Sequence, residues 1–595
     1  MKTIRIGGAS GYWGESDMAV PQLLETCALD VIVFDYLAEI TMSILSRARL
    51  KDPAKGYAID FVDDAMQPHL PEIARQGVKI ISNAGGVNPQ ACAEAVRALL
   101  QKQGLDLSVA VVLGDDIADR AGELAAEGRT DMFSGATFPD PESLASINAY
   151  LGAFPIAAAL AQGADIVITG RCVDSAVTLG ACIHAFGWAR EDYDRLAAGS
   201  LAGHILECGP QATGGNHTDW QSVADSLADI GYPIVGIAED GSFEVTKPAG
   251  SGGAVTAGTV GEQMLYEIGN PQAYMLPDVV CDFSGVTLQQ VEDDRVRVAG
   301  ATGLPAPDTY KVSATYADGF RAGAVWFFYG EDAGAKARSF ADAAIKRARR
   351  KLRGANAADF DETLIEVIGD ESHYGDEAKV AGSREVAVKI GARHRDAGAC
   401  AILLKEITGL GLSAPPGLSG FAGARSRPSP VVRLFSMLVP KADVPLSLAI
   451  DGRTMALEVE SGTPFDKASV ARPSPPTCGE ADDFVVVPLI KLAYARSGDK
   501  GDKANIGVLP RKLDYAPWIW AALTEEEVSH RFAHFLEGSV RRWYLPGTGA
   551  INFLLDDVLG GGGIASLRND PQAKGYSQIL LQTPIPVPRA LVEET

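Results

Sequence analysis

The chain has 595 residues, 53 Lys and Arg against 76 Asp and Glu, a net charge of −23 and 47% hydrophobic residues. That length suits about three domains, and the apolar share is ample for real cores. So acidic a balance excludes nucleic acid and anionic membrane as main partners, because both require clustered Lys and Arg over one face.

Eight cysteines (Cys27, Cys92, Cys172, Cys182, Cys208, Cys281, Cys400 and Cys478) stand singly without a C-x-x-C pair. They read as reduced thiols of a cytoplasmic protein. The opening MKTIRIGGASGYWG lacks the apolar core of a signal peptide, and no run of about 18 apolar residues occurs. The expectation is a chain neither secreted by a standard signal nor membrane-spanning.

Residues 1–282 alternate short β-branched runs with helical patterns, the signature of a mostly parallel α/β domain. Strands are expected over Thr3–Ile6, Val31–Phe34, Val78–Ser82, Ser108–Val112 and Ile166–Thr169, with a helix over Pro89–Gln101. Ligands of such sheets sit in the loops at the strand carboxyl ends. Residues 283–470 read as an α+β domain with strands at Tyr310–Tyr316, Phe320–Tyr329, Thr363–Ile368, Glu385–Ala392 and Cys400–Glu406. Its one strong helix, Ala333–Leu352, is basic, which reads as a solvated face or a phosphate-attracting patch. Residues 471–483 form a Pro-, Ser- and acid-rich linker. Residues 484–595 read as a small α+β domain with strands at Val485–Ala495, Ala504–Val508, Val540–Leu545 and Ser577–Gln582, and helices over Thr524–Leu536 and Ile551–Leu559.

The first strand runs into IGGASGYWGES, where Gly7, Gly8, Ser10 and Gly11 offer a turn or an anion-holding loop. It is neither G-x-G-x-x-G nor a Walker loop, so no flavin or NAD signature is present. FDYLAE places Asp35 and Glu39 four residues apart, as a cap and first-turn acid or as a paired site. SNAGGVNP gathers Asn83, Gly85, Gly86 and Asn88 at another strand end. GADIVITGRCVDSA releases Arg171, Asp174 and Ser175 straight from a buried strand. Arg171 suits a carboxylate or phosphate, and Asp174 suits general acid/base work or a structural ion pair with it.

In GHILECGPQATGG, His204 and Glu207 are helical neighbours, and Cys208, Thr213, Gly214 and Gly215 follow. With His217 these residues match no zinc signature, so no metal site is expected. Lys247 precedes a glycine loop that includes Gly252 and Gly253, a plausible anion site, and Glu262 and Tyr266 follow on a helix. YARSGDKGDKANIGV, with Arg496, Ser497, Asp499, Lys500, Asp502, Lys503 and Asn505, carries more charge than a hairpin needs, and suits either domain docking or ligand contact.

Taken together and in order, IGGASGYWGES, DYLAE, NAGGVNP, GADIVITGRCVDSA, GHILECGPQATGG, TKPAGSGGAVTAGTVGEQMLYEIGNP and ARSGDKGDKANIGV resemble the acyclic terpene utilisation AtuA family. The likeness covers nearly the whole chain and implies a carboxyl-terminal ferredoxin-like domain from about residue 485. It also implies bacterial catabolism of citronellol- and geraniol-type compounds, carried as branched acyl-CoA thioesters. The family's catalytic residues are not settled, so the roles come from the residues themselves: Glu207 or Asp174 as base, His204 as acid, Arg171 and Lys247 as anion clamps. The resulting expectation is a cytoplasmic, homo-oligomeric lyase, a hydratase, dehydratase or carbon–carbon lyase, acting on a small-molecule acyl-CoA or branched carboxylate, with a CoA-linked substrate expected and the cofactor itself left open. The alternative is a non-catalytic acyl-CoA-binding or assembly subunit.

Overall fold

The computed structural model describes residues 2–592 apart from 27, 381, 421–425 and 564, so Cys27 lies outside the described residues. Five parallel strands sit at the centre of the first sheet in the order Thr3–Gly8, Val31–Phe34, Lys79–Ser82, Ile166–Thr169 and Val109–Leu113. They are near-continuous Ile and Val runs because both faces are covered. Val31 and Val33 enter one apolar core while Ile32 and Phe34 enter the other.

Antiparallel strands extend this sheet to eleven. Ile234–Ala238, Phe243–Thr246, Arg295–Ala299 and Thr287–Glu292 lie beyond Thr3–Gly8, and Leu446–Ile450 and Arg453–Leu457 lie beyond Val109–Leu113. The α/β class stands, but only the centre of the sheet is parallel. The second sheet is built on one 21-residue strand, Thr309–Tyr329, where two strands are expected. It continues through Gly319, whose φ of +75° produces an irregularity and no chain reversal. Leu144–Ala149, Glu385–His394 and Ser429–Pro440 pair with it. The sheets therefore interleave across the expected boundary at 282.

Helices Ala333–Gly354 and Ala397–Gly409 cover one face of the second sheet. The expected strand Cys400–Glu406 lies inside the latter, whose start Asp396 caps through Gly398 N at 3.0 Å. Arg347 and Lys351 of the basic helix both bind Glu406, so part of its charge pins the two helices together.

Beyond the irregular linker, a four-stranded antiparallel sheet orders Ala493–Lys500, Lys503–Pro510, Ala550–Leu555 and Val540–Leu545. Three expectations are corrected here. Val485–Ala495 is broken by the turn Leu489–Lys491, Ile551–Leu559 is mainly strand, and Ser577–Gln582 holds the short helix Tyr576–Leu580. The domain docks on helix Ala257–Leu265. Asn505 Nδ2 donates to Leu265 O and Asn552 Oδ1, both at 2.8 Å, and Asn552 Nδ2 donates to Ile268 O and Gly269 O at 2.8 Å. Arg496 reaches Gln211, Gly215 O and buried Glu262, which also holds His217 at 2.8 Å. Among the described residues no helix is long and apolar enough to cross a membrane.

Candidate functional site

The loop after strand Ile166–Thr169 carries Arg171, which is only 3% exposed. Its backbone N–H donates to Asp115 Oδ2 at 2.7 Å, and Gly170 beside it leaves room for that carboxylate. Its Nη1 donates to Asp174 Oδ1 at 2.6 Å, and its guanidinium lies 4.2 Å from the Tyr150 ring centroid. Tyr150 donates to Glu39, which also holds Lys311 at 3.4 Å. Burial opposes the charges of Arg171 and Lys311, but Asp174, Tyr150 and Glu39 around Arg171, and Tyr150 and Glu39 around Lys311, outweigh it and hold both above their usual pKa. Asp35 accepts from Asn83 Nδ2, and burial with the nearby charges of Asp174 and Glu207 pushes its carboxyl well up.

The last turn of helix Tyr193–Leu206 supplies the second pair. His204 Nδ1 and Glu207 Oε1 are 2.8 Å apart, and His204 is 2% exposed. Its Nε2 is buried with no hydrogen-bond partner among the described residues, and so is Arg171 Nε. Burial would lower the His204 pKa, but Glu207 reverses this and raises it, while burial raises Glu207 itself. Burial also raises the Cys208 thiol, which keeps it protonated and poorly nucleophilic. Lys500, at the tip of the C-terminal hairpin, joins this group. Burial disfavours its charge, but Tyr274, Glu267, Asp174 and Glu207 prevail and raise its pKa.

Of the expected site residues, Arg171, Asp174, His204 and Glu207 thus share one charged interior with Asp35, Asn83 and Lys500. Lys247 is held by other partners, Asp294 at 3.0 Å and Ser251 O at 2.7 Å. Most of the expected glycines serve chain-to-chain approach. A Cβ at Gly253 would stand 2.3 Å from Thr213 O, at Gly252 2.2 Å from Ser226 O, at Gly85 2.4 Å from Thr169 O, and at Gly8 2.9 Å from Leu206 O. Gly7 packs on Leu23, Gly11 on Cys208, Gly86 on Leu45, Gly214 on Val223 and Gly215 on Pro210. Ser10 bonds Asp35 O, Asn88 bonds Pro53 O and Lys55 O, Thr213 bonds Gly231 O, and Ser175 abuts Gly203.

Sequence reading missed Tyr150, Lys311, Tyr274 and Asp115, which arrive from strands and loops with no local motif. Among the described residues no group of three His, Cys, Asp or Glu is arranged to hold a metal ion. What the interior offers is a buried proton-transfer pair close to the charges of Lys500 and Asp174, the composition used to move protons beside a developing anion.

Neither a curated protein nor a solved structure matches the chain. The model of the acyclic terpene utilisation family protein AtuA matches residues 4–450, and that of the AtuA ferredoxin-like domain matches residues 487–586. The matched segments hold both the Arg171–Glu207 interior and the domain that delivers Lys500, so the chain belongs to the acyclic terpene utilisation AtuA family and ends in its ferredoxin-like domain.

Proposed function

We propose that the protein is a cytoplasmic catabolic lyase acting on branched-chain or acyclic-terpenoid acyl-CoA thioesters. The observation that carries this is the buried His204–Glu207 pair, whose imidazole Nε2 has no hydrogen-bond partner among the described residues and which feels the charge of Lys500. A base in this interior takes the proton from the carbon next to the thioester carbonyl. The electron pair moves onto the carbonyl oxygen, where Lys500 or Arg171 offsets the charge. As the enolate collapses, the β-hydroxyl leaves with a proton from His204, giving an unsaturated thioester and water; hydration is the reverse. Carbon–carbon lysis uses the same groups, with the β-hydroxyl losing its proton as the bond breaks.

The test is turnover of a panel of branched enoyl- and hydroxyacyl-CoAs by the full chain. Wild type is expected to convert at least one, and Glu207→Gln to lower kcat by about 10²- to 10⁴-fold. A panel left untouched, with Glu207→Gln and Asp174→Asn still supporting a co-purifying enzyme, would replace this reading by the acyl-CoA-binding subunit.

A further inference from the structure

The chain carries a net charge of −23, yet the walls of one cleft are basic. This cleft, of about 710 Å³, lies where the second sheet, the C-terminal domain and the start of helix Glu39–Lys51 meet. That volume falls within the roughly 300–1,000 Å³ of small-molecule sites. Among the described residues Arg321, Lys389, Arg427 and Arg568 line it, against only Glu39 and Asp499. Glu39 is already engaged by Lys311 and Tyr150.

Strand register explains the basic wall. Arg321 and Gly323 of the long strand stand opposite Arg393 and Gly391 of Glu385–His394. Side chains alternate between faces, so Arg321, Arg393 and Lys389 share one face with two bare glycines, while Val388, Ile390 and Ala392 turn to the helices. Like charges directly opposite each other repel. Glu362 at 3.5 Å offsets Arg393, and Glu366 at 3.4 Å offsets Lys389. Arg427 overhangs the cleft, exposed and with no hydrogen bond or ion pair among the described residues.

We infer that this cleft is a subsite for a phosphate-bearing tail, held by Arg321, Lys389 and Arg427 above the Gly323–Gly391 floor. The reacting end of the same ligand reaches the Arg171–Lys500 interior past Glu39 and Asp499, and for that end alone the inference rests on the function proposed above. Guanidinium forks match phosphate oxygens in pairs, and a partly enclosed basic wall concentrates anions. Burial and Glu267 push Asp499 up to about 7, so the inner end repels an arriving anion less than a full carboxylate would. A CoA-type thioester and a diphosphate ester both carry this chemistry.

Isothermal titration of the full chain with CoA, pantetheine and inorganic pyrophosphate separates them. CoA and pyrophosphate are expected to bind, pantetheine at least tenfold more weakly than CoA, and CoA affinity to fall with added salt. Arg427→Glu, at an exposed side chain, should weaken CoA at least tenfold with an unchanged melting temperature. Gly391→Leu, which fills the floor without altering charge, should do the same. Equal affinity for CoA and pantetheine, CoA binding within twofold of wild type in both variants, or no binding of either phosphate ligand would overturn the subsite. Pyrophosphate binding that depends on Arg427, without any acyl-CoA binding, would keep the subsite and remove the acyl-CoA function. Acyl-CoA turnover with a KM indifferent to Arg427→Glu would do the reverse.

Discussion

Asp115 shows what burial does to one carboxyl. It accepts from Arg171 N and Asn148 Nδ2 through the same oxygen, and burial pushes its pKa up to about 7. A group raised in the folded state gives stability that is complete below its unfolded pKa of about 3.9 and is lost as pH rises through the folded value. Asp115→Asn can keep both acceptor contacts through its amide oxygen and removes the titration. Its melting temperature relative to wild type is therefore expected to be higher at pH 8 than at pH 5; an identical difference at both would mean that Asp115 stays ionised. At this scale the sequence was readable where partners are local. Arg171 with Asp174 and His204 with Glu207 both stand three residues apart. Lys311 and Tyr150 were hidden because strand pairing between Thr309–Tyr329 and Leu144–Ala149, far apart in sequence, brings them to Glu39.

Among the elements, the C-terminal hairpin Ala493–Lys500 and Lys503–Pro510 bears the most consequence, since it both docks its domain and delivers Lys500. Glu262 lies 1% exposed against it, and removing one member of a buried charged network costs about 3–5 kcal/mol. Arg496→Met is expected near the lower end, since His217 and Thr218 still hold Glu262; chemical denaturation should show it, with faster cleavage in the 471–483 linker. Gly507 is a sharper probe of docking alone. A Cβ there would stand 2.3 Å from the Leu265 Cβ, so Gly507→Val should separate the domain from helix Ala257–Leu265 and abolish turnover while leaving the parent fold's circular dichroism largely intact. The parallel strands were legible because doubly buried strands are unbroken Ile and Val runs. Cys400–Glu406 and Ser577–Gln582 were misread because short apolar runs carry no decisive period. Asp396 ahead of the first was the usable signal, a capping residue in place of a strand edge. Ile551–Leu559 reads as a helix only until Asn552 is seen facing a partner domain.

For the whole molecule, interleaving sets what can be cut. Residues 1–282 leave both sheets unfinished, because Arg295–Ala299 and Leu446–Ile450 belong to the first and Leu144–Ala149 has its partner in Thr309–Tyr329. Expressed alone, that segment is expected to aggregate through open strand edges. Residues 1–483 keep both large sheets and should remain soluble, yet lack Lys500; a turnover rate matching that of the full chain would show that the C-terminal domain has no part in the chemistry.

The same interleaving sets a clock. Strand Val109–Leu113 finds its antiparallel neighbour only when Leu446–Ile450 has been made, 446 − 113 = 333 residues later. At about 5–20 residues per second that is roughly 17 to 67 s on the ribosome with one edge of the central sheet bare. Nascent chains should therefore depend on chaperones for most of their synthesis, and slower translation should lower the yield of folded protein.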